Sequence, residues 1–284
     1  MRKNLVMKKR DFNGKHVYIT GGSSGIGLAA AKAFAMRGAS VIIFARGTER
    51  LESALKDIQQ SRISDTQSFT YMTVDVSKPD DVSVTMERAV GTFGKPDVLI
   101  NSAGEAYPNY FEDISYERFD RMLATNLYGT RNTISALALH MKEAREGHIV
   151  NISSIVGFIG VFGYTAYSAS KFGVIGFSEA LRSELRPFNV HVSALCPPDT
   201  DTPQLHEENR TKPPETRAIA GNARIMSADA VADALIRGME RGRFMIIPGF
   251  EGKFIYLAKR LFPSLVNYIM DREVAKVTGP AKKA

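Results

Sequence analysis

The stretch from His16 to Arg37 constrains the fold more than any other. A short apolar run, His16 to Thr20, breaks into Thr-Gly-Gly-Ser-Ser-Gly-Ile-Gly, Thr20 to Gly27, and continues as an Ala-rich helical segment. The apolar run reads as a buried strand. Glycines such as Gly21, Gly25 and Gly27 allow a tight turn and let a ligand approach backbone N–H groups closely. A helix opening at Ser24, Gly25 and Ile26 turns its positive end towards any anion in that turn. Strand, glycine turn and helix in this order are the setting of a dinucleotide pyrophosphate.

The alternation continues. A second strand, Val41 to Ala45, ends at Arg46. An acidic residue near that strand end suits ribose hydroxyls, whereas an Arg suits a 2′-phosphate. Arg46 therefore argues for NADP(H), with Ser23 or Ser24 as a second phosphate ligand; the bland alternative is a solvated Arg opening the next helix. Helix follows from Arg50 to Gln60, strand from Phe69 to Val74, helix from Asp80 to Phe93 and strand from Asp97 to Ile100. Asp75 and Val76 end the third strand, where Asp75 either bonds an adenine amine or caps a turn. Asn101-Ser102-Ala103-Gly104 ends the fourth, and such small residues let a ligand lie near the backbone. A long helical stretch runs from Ser115 to Arg145, with Asn126 near its middle. Then come strand His148 to Ile152, helix Tyr164 to Arg186 and strand His191 to Leu195. The Pro-rich segment Asp199 to Thr216 cannot be regular helix throughout. A helix from Ser227 to Arg241 and a strand from Phe244 to Ile247 close the pattern.

Such alternation predicts a Rossmann-type α/β fold, a doubly wound parallel sheet. Ligands bind these sheets outside the carboxyl ends of the strands. The glycine turn, Arg46, Asp75, Asn101 to Gly104, Ser154 and Pro197 all fall at those ends, so separate loops predict one site. The expected division is a basic tail over 1–13, the Rossmann domain over 14–248 and a C-terminal segment over 249–284.

Composition narrows the class. With 44% apolar residues a sizeable core is available. One cysteine, Cys196, excludes an intrachain disulfide and a cysteine-rich metal site. It suits a reducing compartment, and the expectation is a cytoplasmic protein. The formal charge of +7 gathers at the ends, in Arg2, Lys3, Lys8, Lys9 and Arg10 and in Lys276, Lys282 and Lys283. No nucleic-acid motif accompanies it. No apolar run reaches the roughly 18 residues of a spanning helix, and the first ten residues lack the apolar core of a secretory signal.

The chemistry points to Tyr-Ser-Ala-Ser-Lys, Tyr167 to Lys171. Residues four apart on a helix share a face. A lysine ammonium beside a phenol favours the phenolate, so Lys171 is expected to lower the Tyr167 pKa and make it an acid or base nearer neutrality.

The glycine turn, Asn-Ser-Ala-Gly, Asn126, Ser154 and Tyr-Ser-Ala-Ser-Lys, in that order over about residues 14 to 247, resemble the short-chain dehydrogenase/reductase family. The resemblance implies Tyr167 as general acid or base. Ser154 would hold the substrate oxygen, with Ser153 the second choice. Lys171 would bind the nicotinamide ribose, and Asn126 would anchor a proton-relaying water. It also implies that Ala103, Gly104, Pro197, Thr200 and Thr202 join the cofactor site. Pairing through the two long helices is implied too, giving a homodimer or homotetramer. The family usually has Pro-Gly after the sixth strand; here Pro197-Pro198 precedes Asp-Thr-Asp-Thr-Pro. That run, with Glu-Glu-Asn-Arg-Thr-Lys-Pro and Phe-Gly-Tyr-Thr-Ala-Tyr, resembles the 3-ketodihydrosphingosine reductase branch. The implied reaction is NADPH-dependent reduction of a lipid ketone. The competing expectations are another lipid, steroid or retinoid ketone, and a non-catalytic nucleotide-binding scaffold. An intact Asn-Ser-Tyr-Lys set argues against the scaffold, since cofactor binding alone does not require Ser154.

A long-chain substrate would reside in a membrane. Phe250 to Met270 mixes aromatic and aliphatic bulk with Lys253, Lys259 and Arg260. Such a segment suits peripheral contact with an anionic bilayer; the alternative is a segment that packs on the domain or a second subunit and walls the pocket.

Overall fold

The computed structural model describes residues 12–221 and 224–278. Of the basic tails, Arg2, Lys3, Lys8, Lys9, Arg10, Lys282 and Lys283 lie outside the described residues. Strand β1 (His16–Thr20) leads through the glycine turn into α1 (Gly25–Ala35). Then β2 (Ser40–Ala45), α2 (Thr48–Gln59), β3 (Phe69–Thr73), α3 (Pro79–Phe93) and β4 (Val98–Asn101) follow. The long helical stretch is α4 (Tyr116–Leu123) and α5 (Gly129–Ala144), joined by a π-helical turn at Ala124–Tyr128. Next come β5 (Gly147–Ile152), α6 (Thr165–Leu185) and β6 (Val190–Leu195). The Pro-rich segment forms β7 (Thr200–Asp201), α7 (Pro203–Thr211) and α8 (Pro214–Ala220). It breaks between the two helices at Lys212 and Pro213, as the prolines require. After β8 (Met226–Ser227), α9 (Ala228–Glu240) and β9 (Met245–Ile246), two helices remain, α10 (Phe250–Leu261) and α11 (Pro263–Thr278).

Seven strands form one parallel sheet in the order β3-β2-β1-β4-β5-β6-β9, and β7 pairs with β8 apart from it. The strands are apolar on both faces because helices cover both. Val17, Ile19, Val41, Ile43 and Ile100 pack with Phe34 of α1 and Leu235 of α9. The alternate residues Tyr18, Ile42, Phe44, Leu99 and Ile149 pack with Met86 of α3 and Leu137 and Met141 of α5.

The register aligns the strand ends. Thr20 pairs with Asn101, Asn101 with Asn151, and Ile152 with Leu195. Asn101 Nδ2 donates to Asn151 Oδ1 at 2.8 Å, and Thr133 Oγ1 donates to Asn101 Oδ1 at 2.6 Å. Beyond this row the chain turns away from every strand on the same edge, and the loops there face one space.

Candidate active site

The cavity at that edge has a volume of about 450 Å³. At one end lies the glycine turn. Gly21 has φ 66°, and a Cβ there would stand 2.7 Å from the Ala103 nitrogen. A Cβ on Gly27 would stand 2.3 Å from the Gly21 carbonyl oxygen. Only glycine closes this turn against the loop after β4 and against its own helix. Ser24, at the start of α1, makes no side-chain capping bond, which leaves its hydroxyl to a ligand. Arg46 and Arg50 stand exposed beside the cavity at the end of β2 and the first turn of α2. An anion cradle and a pair of guanidiniums fit a pyrophosphate and one further phosphate.

Asp75 accepts from the Ser77 backbone N–H at 3.1 Å and from its hydroxyl at 2.7 Å, so it caps a turn while lining the cavity. Burial opposes its charge, but the Ser77 bonds and the nearby Arg46 and Lys78 hold its carboxyl below the usual range.

The helix α6 carries Tyr167 and Lys171 on one face, both buried and both on the cavity wall. Lys171 Nζ lies 5.6 Å from the Tyr167 ring centroid and donates to the Ile152 carbonyl at 2.8 Å. Burial lowers its pKa to about 8. The Tyr167 pKa moves opposite to expectation. Burial of the phenol, then the negative charge of Glu208, push it well above its ordinary value; side-chain hydrogen bonds with Ser154 and Gln204 oppose them without prevailing. A phenol held neutral is a proton donor rather than a base.

Ser154 lines the cavity, and its hydroxyl accepts from the Val156 N–H at 3.2 Å. Ser153 lines it too, but its hydroxyl donates to the Lys171 carbonyl at 2.9 Å and is tied to α6. Of the two serines, Ser154 is the one whose hydroxyl is not tied to the α6 backbone, and it acts on the Tyr167 phenol.

Most residues expected from sequence meet in this cavity: Gly21, Ser23, Ser24, Gly25, Ile26, Arg46, Asp75, Val76, Ala103, Gly104, Ser154, Tyr167, Lys171, Pro197, Thr200 and Thr202. Gly27, Asn101 and Asn126 stand behind its wall. The Asn126 side chain is a clamp. Its Oδ1 accepts from the Glu105 N–H, and its Nδ2 donates to the Glu105 carbonyl and the Ser170 hydroxyl, each at 2.9 Å. The π-helical turn occurs at this residue, so the loop after β4 is tied to α6 through a widened helix.

Sequence reasoning missed Arg50 and a polar group on α7. Tyr164 Oη donates to Glu208 Oε2 at 2.6 Å, and Gln204 Nε2 donates to Glu208 Oε1 at 2.8 Å. Lys212 Nζ stands 3.3 Å from Asp199 Oδ2 and 4.0 Å from Glu208 Oε2. The available signal was the spacing of Gln204, Glu208 and Lys212, which sets all three on one face of a helix.

The C-terminal segment does not line the cavity. α10 packs on the loop after β5, with Phe158 and Tyr256 rings 5.1 Å apart edge to face, and α11 packs on α8. Phe250 (81%), Phe254 (62%) and Phe262 (59%) remain exposed, as do Leu257, Leu261, Leu265 and Tyr268. Among the described residues no helix is long and apolar enough to cross a membrane, and no cluster of ligands fits a metal ion.

Known proteins match this arrangement. A family model described as short chain dehydrogenase matches residues 15–213. A 3-ketodihydrosphingosine reductase of Mus musculus is 40% identical over 240 residues, 84% of this chain and 72% of that protein. A 3-oxoacyl-[acyl-carrier-protein] reductase of Chlamydia muridarum is 40% identical over 188 residues, 66% of this chain and 75% of its own. A short-chain dehydrogenase from Sphingobium yanoikuyae, solved in complex with NADPH, superposes with TM-score 0.74 at 26% identity, covering 95% of this chain and 98% of its own. With the family match running from β1 through α7, this protein belongs to the short chain dehydrogenase family.

Proposed function

We propose that the chain is an NADPH-dependent ketone reductase whose substrate is 3-ketodihydrosphingosine. The observation that carries the reading is Tyr167, held as a neutral phenol beside Ser154 in the cavity at the strand ends. NADPH, when bound, supplies a hydride to the carbonyl carbon. The glycine turn and Ser24 hold the pyrophosphate, and Arg46 with Arg50 holds the 2′-phosphate. Ser154 bonds the carbonyl oxygen and orients it. Tyr167 gives that oxygen its proton, which completes a secondary alcohol, and the Lys171 ammonium stabilises the phenolate left behind. A neutral phenol is in the protonation state that reduction of a carbonyl requires. The relatives support the substrate class through their names alone, so turnover decides it. Purified protein with NADPH and 3-ketodihydrosphingosine is expected to form dihydrosphingosine, followed as NADPH oxidation. No turnover, alongside good turnover of a 3-oxoacyl thioester or a steroid ketone, refutes the substrate and favours the second reading that the Chlamydia relative supports.

The same reading places the protein in the cytoplasm, on the cytoplasmic membrane face. A substrate with a long alkyl chain has to be drawn from a bilayer. The exposed aromatic face of α10 and α11, edged by Lys253, Lys259 and Arg260, suits anionic headgroups. Exposed Tyr128, Leu139 and Phe172 along α4–α5 and α6 support pairing of two copies in a dimer or tetramer, which sedimentation measures directly.

A further inference from the structure

The cavity wall carries acids as well as Arg46 and Arg50: Asp75 beside Arg46, and Asp199, Glu207 and Glu208 on and just before α7. Glu208 is the one of these acids that is buried, and it is held on both oxygens by neutral donors, Tyr164 and Gln204. Carboxylate oxygens have two lone-pair sites each, so both remain open to a further donor. The Lys212 ammonium lies nearer Asp199 than Glu208, so two carboxylates share one ammonium and a negative charge is left over. A buried excess charge is unfavourable unless a cation meets it. Burial accordingly pushes the Glu208 carboxyl up, against the Tyr164, Gln204 and Lys212 interactions.

Position matters as much as charge. Gln204 bonds Glu208, and the Glu208 charge lies near enough to the Tyr167 phenol to raise its pKa, so the carboxylate and the proton donor are neighbours on one cavity wall. Both groups line one cavity, so a carbonyl held at Tyr167 would bring its neighbouring carbon towards Glu208.

We propose that Glu208 seats a protonated amine on the carbon next to the reacting carbonyl, so that the site selects 2-amino ketones over ketones lacking the amine. This rests on the ketone-reductase reading and sharpens its substrate class. Gln204 and Tyr164 orient the carboxylate, and the ammonium balances the charge that Lys212 leaves over. The bland role for Glu208 is to clamp α7 onto the start of α6 through Tyr164.

Glu208→Gln keeps the shape and the Tyr164 bond but removes the charge. kcat/KM is measured for the parent and for this variant with 3-ketodihydrosphingosine and with 1-hydroxyoctadecan-3-one, the same ketone without the amine. NADPH binding, read from its fluorescence, checks that the variant is folded. The parent is expected to prefer the amino ketone. The variant is expected to lose roughly 10–100-fold on the amino ketone, mainly in KM, as for a lost charge-assisted bond. Because the Glu208 charge also acts on Tyr167, any change on the amine-free ketone is common to both substrates, and the proposal is read from the ratio of kcat/KM between the two ketones, which is expected to fall roughly 10-fold or more. An equal loss on both ketones assigns Glu208 the clamp role and overturns the proposal, as does an unchanged preference. Turnover of neither ketone by the parent overturns the reductase reading itself. A variant that no longer binds NADPH is replaced by Glu208→Asp, which keeps the charge and is expected to retain the amine preference; loss of the preference there, with NADPH bound, counts against the proposal.

Discussion

Lys171 Nζ donates to the Ile152 carbonyl at 2.8 Å, which fixes a buried ammonium against the last residue of β5. The bond spends one of three N–H donors and leaves two for the phenol and for a ribose. Burial lowers the Lys171 pKa from its ordinary 10.5 to about 8. Between those values the unfolded chain holds a proton here that the folded chain does not. Stability from this group therefore rises with pH across that window and is least below about pH 8. Urea denaturation at pH 7 and pH 10 tests this against Lys171→Met. The parent is expected to gain on the variant as pH rises; parallel behaviour of the two refutes the depressed pKa.

Tyr167→Phe removes the proton donor and keeps the ring that packs against Tyr164, whose centroid is 5.6 Å away. Turnover is expected to fall roughly 10²–10⁴-fold, the usual contribution of a positioned acid. NADPH titration is expected to show little change. Activity near that of the parent removes Tyr167 from its assigned role.

Arg46→Asp places a carboxylate where a 2′-phosphate is expected. The ratio of kcat/KM for NADPH over NADH is expected to fall roughly 10–100-fold, the worth of a charge-assisted bond. Arg50 beside it tempers the effect, so Arg46→Asp with Arg50→Ala is expected to fall further. A parent that already prefers NADH contradicts the phosphate reading of both residues.

Asn126→Ala unties Glu105 from Ser170. The Glu105 N–H and carbonyl lose their partner while Ser170 keeps its bond to the Tyr167 carbonyl, and each polar group left unpaired costs about 1–3 kcal/mol before water relieves it. A lowered denaturation midpoint is expected, together with weaker NADPH binding because the loop after β4 is released. An unchanged midpoint means that the clamp contributes nothing.

Liposome sedimentation examines the α10–α11 face. Binding to anionic vesicles is expected to weaken with salt, and to be lost when Phe254 and Phe262 both become Ser in a protein that still binds NADPH. Failure of the parent to bind at low salt ends the bilayer reading.

The parallel sheet and the convergence of its loops were legible because strand runs, glycine turns and strand-end residues are local patterns. The Tyr167 and Lys171 pair was legible for the same reason, as a spacing. The direction of the Tyr167 pKa was not, because it depends on burial and on Glu208, whose sequence distance hides its proximity. The π-helical turn at Asn126 was equally hidden: nothing in the apolar period from Ser115 to Arg145 marks it, and it follows from partners on Glu105 and Ser170. The boundary between α7 and α8 was visible in the prolines, whereas the inward aim of Glu208 depended on its contact with Tyr164, 44 residues away in sequence.

The strand order has a consequence for how the chain is made. β1 sits in the middle of the sheet, between β2 and β4, although it emerges first. While the polypeptide is still short of Val98, β1, β2 and β3 can pair, but the other edge of β1 stays bare. A bare, flat, apolar edge accepts any strand that reaches it, including the same strand from a neighbouring nascent chain. Fragments ending before Val98 would carry this open edge of β1, and pelleting of such fragments beside the full chain measures how readily it recruits other strands.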